Sequence, residues 1–171
     1  MTMIAQSIPD FIRTLNALNG LLEKGAASAQ ARKIDPLVLT NARLAPDMFP
    51  LTKQVQIACD ASKLGMARLS GIEAPKFADT ETTFEELQAR IAKTIDFLHT
   101  VTAESLAGAE DKVVSFPAGP ERVLKMKGKA YLTQWVLPNL YFHTVTAYNI
   151  LRHNGVEVGK MDYLKGAELL P

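Results

Sequence analysis

The segment from Ala130 to Leu151 reads AYLTQWVLPNLYFHTVTAYNIL, and its composition decides the fold. It contains no Asp, Glu, Lys or Arg over 22 residues, which is long enough for a helix that spans a bilayer. Polar side chains interrupt it too often for that role, because each would need a hydrogen-bonding partner in hydrocarbon. They are Thr133, Gln134, Asn139, His143, Thr144, Thr146 and Asn149. The segment therefore predicts the most buried helix of a soluble bundle.

The composition of the whole chain is typical of one globular domain. The chain has 171 residues, 47% hydrophobic and 22% charged, with 19 basic and 18 acidic side chains. A chain of this length can fold without a metal or disulfide, so we expect one domain over 1–171, with the tail 156–171 packed on it. The charge balance argues against nucleic acid as a partner. Because the N-terminus lacks the pattern of a secretory signal, we expect a cytoplasmic protein without a membrane partner.

The N-terminal region predicts a long amphipathic helix. Its apolar residues recur at spacings of three and four from Ile4 to Leu22, which places them on one stripe. We expect Gly25 to close the regular helix, with a short second piece over Ala26–Ala31 before Asp35-Pro36 stops it. A loop is then expected up to Pro50.

Two further helices follow in the sequence. The first is expected from Pro50 to Ser70, with Gly71 just past its end. The next begins after Thr83, because Thr83 and Glu86 form a capping-box pattern, and is expected to end near Gly108. The polar residues of the earlier helix that are expected in solvent are Lys53 and Gln56, together with the helical ion pair of Asp60 and Lys63.

Between Lys112 and Lys127 the hydrophobic period changes from helical to alternating. Two short antiparallel strands fit this alternation, with Pro117–Pro120 between them. A last helix is expected from about Lys129 to Asn154, with a kink or break at Pro138. These patterns predict an all-α fold: an antiparallel four-helix bundle with a small two-stranded β-hairpin before the last helix.

Three histidines and one cysteine leave little room for metal chemistry. Cys59 alone can form neither an internal disulfide nor a cysteine-pair zinc site, and we expect a buried, inert thiol. Asp96 and His99 are the nearest match to the Glu-x-x-His pairs of di-iron bundles, but the match occurs once and Asp96 projects away from the apolar stripe. We therefore predict no metal and no cofactor.

His143 is the histidine predicted to face the bundle interior. The positions one turn away are Asn139 and Ala147, so the helical His-x-x-x-His pair that binds zinc is missing. Three roles stay open for it: a buried imidazole hydrogen-bonded to a neighbouring helix, a proton-transfer residue, or a metal ligand.

Three other polar residues complete the candidate site. Asp47 lies before the second long helix, where it can cap that helix or contribute to a site. Asn19 falls among the apolar residues of the first helix and is expected to point inward, and Tyr148 lies on the last helix. The candidate ligand-binding residues are thus Asn19, Asp47, His143 and Tyr148, and the candidate catalytic residues are His143 and Asp47.

The last helix also carries most of the large aromatic side chains, spread around its circumference. They are Tyr131, Trp135, Tyr141, Phe142 and Tyr148. One side of a helix cannot bury all of them, so either other elements of the chain or a second subunit must cover the rest. Because monomers rarely leave such a surface bare, we expect a homodimer.

Several motifs, in order along the chain, resemble a bacterial family of unknown function within the DinB/YfiT-like four-helix-bundle superfamily. They are RLAPDMFPL at 43–51, Gln54-Val55, Asp60, LPNLYFH at 137–143, AYNILRHNGV at 147–156, Gly159-Lys160 and Asp162-Tyr163-Leu164.

The resemblance implies a DinB-like bundle that is commonly dimeric. Better-known members of that superfamily bind a divalent metal through three histidines and include thiol-dependent transferases and isomerases. In this sequence only His143 falls where a ligand on the last helix is implied, and residues 51–70 contain no histidine.

Three functions are consistent with these observations. The first is a metal-free module that binds a small molecule or forms a dimeric scaffold. The second is a thiol-dependent transferase or isomerase in which His143 acts as acid or base and Asp47 orients it or the substrate. The third is a mononuclear metalloenzyme built around His143.

Overall fold

Four long helices and one short hairpin make up most of the computed structural model, which describes residues 2–117, 119 and 121–168. The helices are α1 (Met3–Arg32), α2 (Pro36–Thr40), α3 (Leu51–Ser70), α4 (Phe84–His99), α5 (Gly128–Tyr131), α6 (Leu137–His153) and α7 (Lys160–Tyr163). The strands are β1 (Val113–Pro117) and β2 (Val123–Lys127). The predicted all-α fold with a hairpin before the last helix is therefore confirmed.

The four long helices pack as a ring. α3 contacts both α4 and α6, and α1 contacts the same two helices. Their apolar stripes meet in one core, in which Leu15, Leu22, Val55, Met66 and Leu140 are fully buried. This ring is the arrangement expected of a four-helix bundle, while the antiparallel order of its helices stays a prediction.

α1 continues through Gly25 to Arg32, so the predicted stop at Gly25 is wrong. A Cβ atom at position 25 would lie 2.9 Å from Cε1 of Phe84 and 3.0 Å from Cδ2 of Leu151. The glycine therefore allows α4 and α6 to approach α1 closely. The helix ends instead at Lys33, whose backbone is left-handed with φ 54°.

Asp35-Pro36 begins a helix and does not end one. The Oδ1 atom of Asp35 accepts a hydrogen bond from the backbone N–H of Leu37 at 2.9 Å, and Pro36 occupies the first helical position. Asp35 is thus the N-cap of the short helix α2, within a region predicted to be a loop.

α3 has the predicted bounds and is followed by Gly71 at φ 82°. It is also the most buried long helix: twelve of its twenty residues are buried, against six of seventeen in α6. The prediction that the charge-free segment forms the most buried helix is wrong. The predictions that Gln56 and Lys63 face solvent are wrong as well, because the connector 71–83 covers that side of α3.

α4 begins at the predicted capping box of Thr83 and Glu86 but ends at His99, not near Gly108. The side chains beyond it compete for the backbone hydrogen bonds that would extend the helix. Thr102 Oγ1 accepts from the N–H of Ser105, and Ser105 Oγ accepts from the N–H of Thr102, both at 3.2 Å.

The hairpin pairs β1 with β2 in antiparallel register and covers α5 and the turn that precedes α6. Phe116 is buried, with its ring centroid 4.7 Å from that of Tyr131 and 5.0 Å from that of Trp135. A π-helical turn over Leu132–Val136 precedes α6, which supplies the irregularity predicted at Pro138.

The tail after α6 lies along α1, where Asp162 pairs with Lys24 at 2.7 Å and Val156 and Val158 are buried. Residues 169–171 of the predicted tail lie outside the described residues. Among the helices that the structure describes, none combines the length and apolar character needed to cross a membrane.

Candidate functional site

The imidazole of His143 is held by a side chain of α3. Its Nδ1 atom lies 2.7 Å from Oε1 of Gln54, and Nε2 of Gln54 donates to the carbonyl of Phe49 at 3.0 Å. Since a carbonyl only accepts hydrogen bonds, the second contact fixes the orientation of the Gln54 amide, and Nδ1 of His143 must carry the proton. Of the three roles left open for His143, the structure shows the first, an imidazole that is hydrogen-bonded to a neighbouring helix.

His143 is half-buried at the edge of the bundle. Burial lowers the pKa of its imidazole, and the ring of Phe142 meets it edge-on with centroids 5.1 Å apart. With its pKa lowered and Nδ1 occupied as a donor, the ring is neutral near pH 7 and its lone pair is on Nε2. The Nε2 atom is therefore available as a hydrogen-bond acceptor or a base.

Asp47 does not cap α3, which corrects that prediction. The N-cap of α3 is Pro50, without a side-chain hydrogen bond, and the N–H of Leu51 donates to the backbone carbonyl of Ala42 at 2.9 Å. The backbone thus supplies the acceptor that Asp47 was expected to provide. Asp47 is exposed, and the side chain that orients His143 is Gln54.

Asn19 lies on the outer side of α1 and does not point into the bundle. It is half-buried, and its Nδ2 atom donates to Oε1 of Glu23 on the next turn at 2.9 Å. The core positions beside it are Leu18 and Leu22, so Asn19 falls at the margin of the apolar stripe. Tyr148 is partly buried against the core on α6. That these residues share a ligand with His143 and Asp47 stays a prediction.

Asn19 lines a groove of about 770 Å³ between α1, the end of α4 and the tail, which we call the α1 groove. Its apolar floor is made by Ile8, Pro9, Ile12 and Ala17. The polar side chains around that floor are Arg13, Asn16, Asn19, Glu23, His99 and Lys165. The groove thus combines apolar surface with a small set of polar groups, as small-molecule sites do.

The charges of the α1 groove are only partly neutralised. Arg13 faces Asp10 at 3.7 Å, and Lys165 has no ion-pair partner within the residues that the structure describes. The acid one turn before Lys165, Asp162, pairs with Lys24 instead. The ammonium of Lys165 lies over Gly20, where a Cβ atom would be 3.8 Å from Nζ.

A second charged cluster, the Arg90 network, lies between α3, the connector and α4. The side chain of Arg90 is 1% exposed and contacts three carboxylates, Asp60 at 3.1 Å and Asp79 and Glu81 at 3.0 Å. Lys63 also pairs with Asp60, at 2.9 Å. The surface ion pair predicted for Asp60 and Lys63 is therefore part of a buried network.

The surroundings of the Arg90 network bury its cations Arg90 and Lys63, while Asp60 and Asp79 stay about one-third or more exposed. The ring of Phe77 covers the Lys63 ammonium at 3.9 Å, and Nε2 of Gln56 donates to Glu81 at 2.9 Å. Cys59 is fully buried beside it, and burial raises the pKa of its thiol to about 12. This thiol is neutral at physiological pH, in agreement with the inert role predicted for it.

The residues of this chain do not fit the three-histidine metal site implied by the resemblance. In the described ranges no three His, Cys, Asp or Glu side chains are grouped as metal ligands. α3 contains no histidine. His99 is exposed at the end of α4, and His153 is exposed at the end of α6, ten positions after His143. Asp96, the partner proposed for His99, is also exposed.

The Arg90 network has a recognisable signal in the sequence. Arg90 lies between Leu87 and Thr94 on the inner side of α4, and a charged residue beside a buried stripe indicates a buried ion pair. Asp79 and Glu81 in the connector are the acids that such a pair needs. Gln54 and Lys165 gave no comparable signal, because their contacts join distant parts of the chain.

The helical ring with a hairpin before the last helix is the fold of a DinB-like protein. The chain is similar to a crystal structure of a DinB family member from Shewanella denitrificans, with 44% sequence identity and a TM-score of 0.87. That alignment covers 96% of this chain and 93% of the other. A family model described as domain of unknown function (DUF1993) matches residues 3–164, and the chain belongs to this family. No curated protein matches it.

Proposed function

We propose that this DinB-family protein is a small-molecule-binding module and that the α1 groove is its site. The observation that supports this is the pairing of an apolar floor with polar groups that lack full internal partners. Its volume of about 770 Å³ is within the range of small-molecule sites, which is roughly 300–1,000 Å³. The Arg90 network is a poorer candidate, because its cations and carboxylates already bind one another.

A change at Gly20 tests this proposal without altering charge. Gly20 lines the α1 groove, and a Cβ atom there has ordinary contacts with the flexible side chain of Lys165 only, so a larger side chain extends into the groove. Leucine also has a higher helix propensity than glycine, so Gly20→Leu should fold and fill the groove. Gly20→Ala is the matched control that leaves most of the groove open.

The measurement is NMR of the ¹⁵N-labelled protein with a set of small carboxylic acids, alcohols and amines that have apolar chains. At least one class should shift amide signals of residues lining the α1 groove in the native chain and in Gly20→Ala, but not in Gly20→Leu. Shifts that persist in Gly20→Leu, or that map to another surface, would exclude the groove as the site.

We also propose that the protein is a homodimer that associates through the outer face of α6, defined by Pro138, Tyr141, Phe142, Val145 and Asn149. All five residues are exposed, and Phe142 is 59% exposed. The hairpin covers Tyr131 and Trp135 but not this face, and residues 130–151 carry no charge that would oppose association.

Sedimentation equilibrium tests this association. The native protein should have twice the mass of one chain, which is 18.7 kDa, and Phe142→Glu should sediment as a single chain. Glu157→Gln, an exposed change outside this face, is the control. A native mass of one chain at 100 micromolar protein would rule out the dimer.

Acid–base catalysis at His143 is a second candidate function. Its neutral ring with an unprotonated Nε2 is suited to accept a proton, for example from a thiol substrate. Gln54 holds the ring, so the orienting role predicted for Asp47 is better assigned to Gln54. A thiol-conjugation assay should lose activity in His143→Gln and keep it in Asp47→Asn, and a native protein without conjugation activity would remove this candidate.

A further inference from the structure

We propose that the α1 groove binds a small carboxylic acid with an apolar body, with the carboxylate at Lys165. This inference rests on the proposed function, because it assumes that the groove is a small-molecule site. It adds the chemical class of the ligand and the residue that recognises its charged group.

The charged side chains that line the α1 groove favour a negatively charged ligand. Among its lining residues Arg13 and Lys165 carry positive charge and Glu23 carries negative charge. Glu23 already accepts a hydrogen bond from Asn19. Lys165 makes no ion pair within the described residues, and Asp162, the acid on which its charge acts, already pairs with Lys24. A monoanion therefore complements this surface better than a cation does.

The tail positions Lys165 directly on the α1 groove. Its ammonium is placed over Gly20 by the tail, and the next residue, Gly166, contacts Arg13: a Cβ atom at position 166 would lie 3.4 Å from Cγ of Arg13. The tail therefore holds one cation directly on the groove and packs against the second. Two residues of α1 seven positions apart, Arg13 and Gly20, are about 10 Å apart along the helix axis.

The apolar floor of the α1 groove can contact the apolar body of the ligand. Ile8, Pro9, Ile12 and Ala17 lie toward the N-terminal end of the groove, and Gly20 with Lys165 lies toward the other end. A ligand with its carboxylate at Lys165 would thus lay an apolar chain across this floor. Residues 8 to 20 span about 18 Å of helix, which accommodates a linear chain of six to ten carbons.

Three ligands of equal chain length separate charge from apolar contact: octanoate, methyl octanoate and octylamine. Their dissociation constants are measured by NMR titration of the native chain and of Lys165→Gln. Octanoate should bind at the α1 groove about tenfold more tightly than the ester or the amine, because only its carboxylate can pair with the ammonium of Lys165. Lys165→Gln should reduce octanoate binding about tenfold and leave ester binding unchanged.

Two further variants control for the change in net charge. Lys125→Gln removes one positive charge from an exposed position on β2 outside the groove and should leave octanoate binding unchanged. Glu23→Gln removes the acid of the groove and should strengthen octanoate binding. Equal effects of Lys125→Gln and Lys165→Gln would overturn the assignment of Lys165.

The remaining outcomes separate this inference from the proposed function. If the ester or the amine binds the groove as tightly as octanoate, the carboxylate class is wrong, while the groove remains a small-molecule site. If none of the three ligands nor any compound of the wider set shifts signals of the groove, both the inference and the proposed function fail.

Discussion

The two charged clusters of this protein differ in how completely their charges are paired. In the Arg90 network three cations, Lys53, Lys63 and Arg90, contact three carboxylates, Asp60, Asp79 and Glu81. In the α1 groove Lys165 makes no ion pair within the described residues, and the acid on which its charge acts, Asp162, pairs with Lys24. In the network the ionic groups are paired within the chain, although Nε of Arg90 is buried without a hydrogen-bond partner among the described residues, and removing one partner leaves a buried charge uncompensated. A charge left open to solvent beside an apolar floor is instead available to a ligand.

The difference follows from what encloses each cluster. The Arg90 network lies between two long helices and the connector, and Phe77 covers Lys63 and Arg90, so these two cations lose contact with water and need partners. The α1 groove is bounded by one helix, the end of another and a tail, and its charged side chains remain hydrated. Removing a charge should therefore destabilise the protein in the first region and not in the second.

Arg90→Met should have the largest effect on stability. The substitution keeps much of the buried volume but leaves Glu81 without its cation, while Asp60 keeps Lys63. We therefore expect a loss near the lower end of the roughly 3–5 kcal/mol that breaking a buried ion pair from one side costs. Urea unfolding followed by circular dichroism measures the free energy of unfolding. Arg90→Lys retains the charge without the planar fork and should lose less. A loss below about 1 kcal/mol for Arg90→Met would show that the network does not stabilise the fold.

Lys63→Met should have an intermediate effect of about 2 kcal/mol, because it removes one charged hydrogen bond to Asp60 while Arg90 still pairs with that carboxylate. The same urea measurement applies. The matched control is Lys53→Met, whose pair with Asp79 is more than one-third exposed and should contribute about 1 kcal/mol or less. Equal losses of unfolding free energy in Lys53→Met and Lys63→Met would contradict the prediction that the buried ion pair contributes more than the exposed one.

The elements that the sequence predicted well have local signals. The capping box at Thr83, the start of α3 at Pro50 and the alternation around Phe116 depend on neighbouring residues only. Gly25 was misread because its intrinsic cost in a helix, about 1 kcal/mol, is outweighed by the packing of Phe84 and Leu151 against it.

The candidate sites were harder to predict because they depend on long-range contacts. Helical phase placed His143 near the interior, but its partner Gln54 is 89 positions away. Lys63 was assigned to solvent because the connector that covers it has no hydrophobic period. The α1 groove exists because the tail packs on α1. The sequence predicted that the tail packs on the domain, but not which helix it contacts.

Acid should weaken the Arg90 network through Asp79. The hydrogen bond from Lys53 lowers the pKa of Asp79 below its ordinary value of 3.8. The stabilisation is therefore complete above pH 4 and is lost as the pH falls through the lowered pKa of the folded state. Because Asp79 is 40% exposed, the effect should be about 1 kcal/mol or less. Urea unfolding between pH 5 and pH 2.5 should show a smaller loss in Asp79→Asn than in the native chain, and identical pH profiles would contradict this role.

Lys165→Gln should have the smallest effect on stability, within about 0.5 kcal/mol, because the ammonium lies at the surface without an ion-pair partner among the described residues. Lys24→Gln is the matched control in the same region, since Lys24 pairs with Asp162 at 2.7 Å and also reaches the carbonyl of Glu157. Its loss should exceed that of Lys165→Gln while staying near 1 kcal/mol. If Lys165→Gln destabilised the protein more than Lys24→Gln, Lys165 would have a structural role. Its charge would then not be available to a ligand, and the contrast between the Arg90 network and the α1 groove would be wrong.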